Sequence, residues 1–276
     1  MKVLKPAGLL SAKPLLVHLT LRENRSKYKR SALGWAWSMV NPLATMLIFT
    51  FVFRVILKIT PPSGNPSGLN NFSLFLISAL LPWNFLANGL GSATGSILSN
   101  EGLIKKVYFP RAVLPAATIF SWDTNLLIEF GVLSIALLIF GQVVFPLLPI
   151  ALFVIALQTV LVLGLGTALA ALNVYFRDVQ HFLSIVLLMW FYSTPILYPI
   201  TLVPESKVIG GMDVPVRGLY NLNPMVHFTE AYRNIFYDLK IPGAKEFLYM
   251  AVSAALSMVV GMAVFKRLEP KFAEEL

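Results

Sequence analysis

Apolar residues run almost unbroken through six stretches of this chain, roughly 33–57, 73–97, 112–140, 147–172, 182–200 and 247–265, with polar residues crowded between them. About 20 mostly apolar residues are needed for a helix to cross a bilayer. The pattern therefore predicts six transmembrane helices in an all-α integral membrane protein, their ends set to within about three residues. The joints support the division. "KITPPSGNPSGLNN" is too rich in Pro, Gly and Asn to stay helical, and only "GQVVFP" separates the third span from the fourth.

Two segments break the pattern. Residues 201–246 contain Pro204, Pro215, Pro224 and Pro242, too many for a span, yet "YNLNPMVHFTEAYRNIFYDL" mixes aromatic, apolar and charged positions as short amphipathic helices do. Re-entrant helices between spans five and six, dipping back from the outer face, are one reading. An ordinary loop on the outer surface is the other, since irregular backbone at membrane depth must face protein or water. Near the N-terminus, Leu15, Leu16 and Leu19 recur at helical spacing before a basic run. They predict an amphipathic helix lying in the inner interface.

Composition agrees with a membrane protein: 276 residues, 57% hydrophobic, 13% charged and a mean hydropathy of +0.74. The net charge of +9 is placed unevenly. Starting inside, six spans assign residues 1–32, 98–111, 173–181 and 266–276 to the cytoplasm, and these hold 15 of the 22 Lys and Arg. That is the positive-inside bias, and it predicts a multi-pass membrane protein with both termini in the cytoplasm. No nucleic acid is expected, because the basic cluster abuts a span. No signal peptide is evident, since Lys13 and Pro14 interrupt the first apolar run. The chain divides into a cytoplasmic N-terminal segment, 1–32, and a single six-span domain, 33–276.

Candidate chemistry is sparse. With no cysteine there is neither a disulfide nor a thiolate metal site, and the three histidines lie far apart. No phosphate-cradling G-x-x-x-x-G-K-[ST] loop is present, so no cofactor or metal is expected on this chain and no catalytic residue is assigned. Asp123 and Glu129 fall inside the third span, where a charge is costly. Six residues apart, they stand about 9 Å apart along a helix axis and on different faces. Either they face a hydrated interior or a neighbouring span, or Asp123 is hydrogen-bonded to hold helix register. Gly91 and Gly95 have the spacing that lets membrane helices approach closely.

The two inner loops carry more than topology requires. "NVYFRDVQHF" sets Arg177 beside Asp178 among aromatic residues, and "NEGLIKKVYFPRAVLP" mixes Glu101, Lys105 and Lys106 with Leu103, Ile104, Val107, Tyr108 and Phe109. Amphipathic loops between spans suggest a surface that docks a cytoplasmic partner.

With "KYKRSALGWAWSMVNPL", "STPILYP" and "NPMVHFTEAYR" added in order, the chain resembles the membrane subunit of ABC-2 type exporters. It is most similar to permeases that export bacterial O-antigen, capsule or teichoic acid. The resemblance implies a homodimer with two copies of a separate ATP-binding cassette subunit, which would bind ATP and Mg and supply the hydrolysis. It implies an interface helix near residues 12–30, a coupling helix near 100–110 with a second cytoplasmic contact at 175–181, and gating helices within 201–240. Coupling would then fall to Glu101, Leu103, Ile104, Lys105, Lys106, Val107, Tyr108, Phe109, Arg177 and Asp178.

A lipid-linked glycan would meet membrane lipid and the interface helix at Arg22, Arg25, Lys27, Lys29 and Arg30, which otherwise serve the positive-inside rule. Trp35, Trp37, Trp83, Phe85, Trp190, Tyr192, Tyr198 and Tyr220 are channel candidates, with an aromatic belt facing lipid as the alternative. Glu230 and Arg233 are gate candidates. An ABC-2 permease for a lipid or hydrophobic drug is the rival function, and an ATP-independent carrier the more distant one.

Overall fold

A computed structural model describes residues 12–27, 29, 31, 34–58, 60–209 and 212–276. The first helix, α1 (Lys13–Lys27), carries Pro14 in its first turn, where backbone N–H groups lack intrahelical partners anyway. A 3-10 turn leads into α2 (Trp37–Thr50), which loosens into a π-helix over Phe51–Ile56. Helix α3 (Phe72–Gly95) starts where the Asn71 side chain accepts from the Ser73 N–H, an N-cap.

The tiny α4 (Glu101–Ile104) precedes α5 (Val113–Ile139). Gly141, at φ +76°, turns the chain in the left-handed region just past α5. Next come α6 (Leu148–Tyr175) and α7 (Val179–Tyr192). A hairpin of β1 (Lys207–Ile209) and β2 (Met212–Val214) pairs Lys207 with Val214. After it lie α8 (Val216–Tyr220), α9 (Pro224–Arg233), a π-helix (Asn234–Asp238), α10 (Ala244–Leu268) and α11 (Phe272–Glu275). The chain is a mostly helical membrane protein, consistent with the expected all-α fold, with a short hairpin among the described residues.

Among the described residues, four helical stretches are long and apolar enough to cross a membrane: Phe72–Gly95, Val113–Ile139, Phe145–Tyr175 and Ala244–Lys271. Leu43–Ile56 and Val179–Tyr192, in the first and fifth expected spans, are apolar but shorter. The stop of α7 has a local cause: Thr194 precedes Pro195, and a residue before proline is pushed out of the helical region.

Helix α3 is the axis of the molecule. It is buried along most of its length and packs against α5, α6, α7 and α9. The tightest pairing is α6 with α10. A methyl group on Gly261 would collide with the Gly164 carbonyl, and one on Gly164 with the Ser257 backbone. Glycine is what lets these two backbones touch. Gly91, by contrast, has nothing within 4 Å of where a Cβ would stand, and Gly95 only the Gln180 side chain at 3.9 Å. The close approach is made elsewhere than their spacing suggested.

Side-chain bonds define two ends. At one, Asn173 donates to the Thr94 carbonyl, Arg111 to that of Glu269 and Tyr175 to that of Leu268. At the other, Tyr237 donates to the carbonyls of Pro62 and Leu69, and Gln142 to that of Ser67. Residues 98–111, 173–178 and 266–276 therefore share an end, opposite the 60–71 loop.

Candidate functional site

The basic end presents the amphipathic loop. Leu103, Ile104 and Phe109 turn inward and pack with Leu15, Leu16, Leu19, Val113 and Leu114 in one apolar cluster. Leu15, Leu16 and Leu19 of α1 thus pack against protein, while Val17 and Leu21 stay exposed. Because its inward residues are anchored, the rest of the loop can project. Tyr108 is 77% exposed, and Val107 is exposed beside it. Residues 104–109 and Arg111 line a recess of about 210 Å³. Lys105 Nζ lies 2.5 Å from a Glu101 carboxylate oxygen. That hydrogen bond, and then the ammonium charge, hold Glu101 below the usual carboxylate range, with Arg177 adding in the same direction.

Arg177 therefore bears on the other inner loop. No ion pair joins it to Asp178 among the described residues, and both are exposed. The chain brings loops about 75 residues apart in sequence into one electrostatic patch, which neither loop reveals by itself.

The basic residues of α1 diverge. Arg22 donates to Asn100 at 2.7 Å and pairs with Glu23. Arg25 and Lys29 are exposed. Arg30 lies outside the described residues. Lys27 turns inward, its Nζ 3.6 Å from the centroid of the Trp122 ring, a cation–π geometry. Burial lowers its pKa to about 7, against the opposing pull of Glu23 and Glu129. Beside it Asn24 is buried, accepting from Ser121 Oγ at 2.6 Å. This polar seam between α1 and α5 had no signal in the spacing of the leucines. Asp123 does not join it. It accepts from Thr159 Oγ1 of α6 at 3.1 Å, the register-holding arrangement, and Glu129 is buried on another face.

At the opposite end, the chain after α7 dips into the protein, with Thr194, Pro195, Ile196 and Leu197 all buried. Asn223, the N-cap of α9, and Arg233 at its end satisfy the backbone freed there, as burial requires. Asn223 donates to the Ser193 carbonyl and to Thr194 Oγ1, and accepts from Trp190 Nε1 at 2.7 Å. Arg233, 3% exposed, donates to the carbonyls of Ile196 and Tyr198, pairs with Glu230 at 3.0 Å and lies over the Phe75 ring. Helix α9 also buries Tyr232, which donates to Gln158 Oε1 and stacks on Phe130.

The aromatic residues divide by environment. Trp83 and Phe85 are 5% and 2% exposed, because α3 is the core helix. They have no free face, and Trp83 meets Trp190 edge-on. Trp37 and Tyr192 are exposed. Tyr198 and Tyr220 lie hydroxyl to hydroxyl at 3.1 Å. The side chain of Trp35 lies outside the described residues. No group of three or more metal-ligating side chains occurs among the described residues.

Residues 14–237 match the profile of the ABC-2 type transporter family. The chain is 31% identical, over 95% of both chains, to the O-antigen export system permease protein RfbA of Myxococcus xanthus. It is 28% identical over the same share to the protein of that name in Klebsiella pneumoniae, and 23% identical to the polysialic acid transport protein KpsM of Escherichia coli, over 91% of this chain and 92% of that one.

Proposed function

The chain belongs to the ABC-2 type transporter family, and on that footing we propose that it is the channel-forming subunit of an ATP-driven exporter that moves a lipid-linked polysaccharide out of the cytoplasm. What carries the reading is end-to-end similarity to permeases of O-antigen and polysialic acid export, joined to a projecting amphipathic loop at the basic end.

In this reading α2 with its π-helix and α7 serve as the first and fifth spans, giving six. The basic end, carrying the N-terminal segment and α11, faces the cytoplasm. Two copies of this chain pair with two ATP-binding cassette subunits, which hold ATP and Mg. The loop of Glu101–Phe109, with Tyr108 foremost, seats in the ATPase. Its inward leucine and phenylalanine tie that motion to α1 and α5. Arg177, just before α7, adds a second exposed charge to the docking face.

At the far end, the segment 193–238 forms the outer gate, with the Ser193–Tyr198 turn strapped to α9. Exposed Trp37, Tyr192 and the Tyr198–Tyr220 pair offer flat faces to sugar rings, and Arg22, Arg25 and Lys29 offer cations to the substrate's pyrophosphate. Lys27, committed to Trp122, does not.

The test is co-purification with the cognate ATPase and assay of its hydrolysis. Tyr108→Ala is expected to leave insertion intact and to abolish coupled hydrolysis. A wild-type chain that binds no ATPase subunit overturns the reading.

A further inference from the structure

Between α1, α5, α6 and α10, at the basic end, lies an apolar crevice of about 340 Å³. Ala112, the N-cap of α5, and Ala116, one turn into the helix, line it and are small enough to leave the recess open. Phe120, Leu163 and Met262 wall it, and Lys13 stands at its edge. The one hydroxyl in the lining, that of Thr167, donates to the Gly164 carbonyl at 2.9 Å, so the walls are almost wholly apolar and suit a hydrocarbon better than water.

The polarity of the site is one-directional. Lys13 is exposed and has no ion pair among the described residues. Lys266, also exposed, follows Met262 by four residues on α10, and so stands on the same helix face one turn nearer the basic end. Apolar walls with cations at the basic edge fit a molecule with an alkyl tail and an anionic head. Methionine suits such a tail, being flexible and polarizable, and cations beside a membrane attract anionic headgroups.

We infer that this crevice holds one acyl chain of a resident anionic phospholipid, its phosphate drawn to Lys13 and Lys266. The lipid wedges α1 against α5, α6 and α10, and the site is separate from the α1 cations proposed for substrate. The inference rests on the membrane reading above but needs no ATPase subunit, so loss of bound lipid and loss of coupled hydrolysis are distinct results.

The experiment exchanges the purified full chain from detergent into nanodiscs containing phosphatidylglycerol in phosphatidylcholine, re-extracts it gently, and counts retained lipid by native mass spectrometry. Wild type is expected to keep phosphatidylglycerol in preference to phosphatidylcholine. Lys13→Gln and Lys266→Gln should each lower retention about fivefold, and Lys13→Arg should restore it. Both are surface changes that leave folding intact. Ala116→Phe, which fills the crevice, should remove the lipid whatever its headgroup. Equal retention of both lipids, or retention unchanged in the lysine variants, overturns the inference. So does displacement of the bound lipid by lipid-linked glycan, which would make the crevice part of the substrate path.

Discussion

Arg233 Nη2 donates to the carbonyl of Ile196 at 2.7 Å, joining α9 to a turn 37 residues earlier in the chain. The turn is irregular because Pro195 and Pro199 deny it helical bonds, and it is buried, so its carbonyls need a donor from elsewhere. Arginine suits the role, since its planar fork reaches two carbonyls and a carboxylate together.

Removing that donor should loosen the outer end. Arg233→Ala leaves the Ile196 carbonyl unpaired at a cost of roughly 1–3 kcal/mol, expected as a lower unfolding temperature in detergent. Arg233→Lys should fall between wild type and alanine, because lysine has no fork.

Asn223 holds the same turn from its other side through Ser193 and Thr194. Asn223→Ala and Arg233→Ala should therefore be non-additive when combined, with an interaction of roughly 0.5–3 kcal/mol in a double-mutant cycle of unfolding temperatures. Strict additivity would mean that the two do not act on one element.

Lys27 predicts a pH dependence. Its pKa falls from 10.5 to about 7 on docking, chiefly through burial. Docked α1 thus binds fewer protons than free α1 between about pH 7 and 10.5. Docking should strengthen as pH rises through that window and be constant below it. The chain has no cysteine, so a single nitroxide at exposed position 21 reports α1 mobility. The label should become less mobile from pH 7 to 10, and Lys27→Met should abolish the change.

Gly261 should tolerate no side chain. Gly261→Ala puts a methyl into the Gly164 carbonyl, and overpacking of this kind costs roughly 1–3 kcal/mol. The unfolding temperature should fall, whereas Gly91→Ala, facing open space, should leave it unchanged. Equal effects at the two positions would contradict the α6–α10 contact.

Much of the fold was legible from the pattern alone. Long apolar runs, basic joints and the Pro-rich loop act locally through hydropathy and backbone limits, and among the described residues four of the six runs form helices long enough to cross a bilayer. The division of residues between the two ends also follows, because charge resists crossing lipid. The amphipathic character of the loop around Tyr108 was readable, but not which of its aromatic residues faces outward.

What tertiary structure alone decided is which member of each class is used. Lys27 and Arg25 read alike in the sequence, yet one lies over Trp122 and the other faces outward. Trp83 and Tyr192 read alike as aromatic residues near span ends, yet α3 runs through the core and buries the first. Gly91-x-x-x-Gly95 had the spacing for close packing, and Gly164 with Gly261, 97 residues apart, made the contact. Hydropathy and propensity are sums over neighbours in the chain. A cation over a ring, a carbonyl met by a distant guanidinium and two touching backbones depend on which faces meet, and that is settled only when the helices pack.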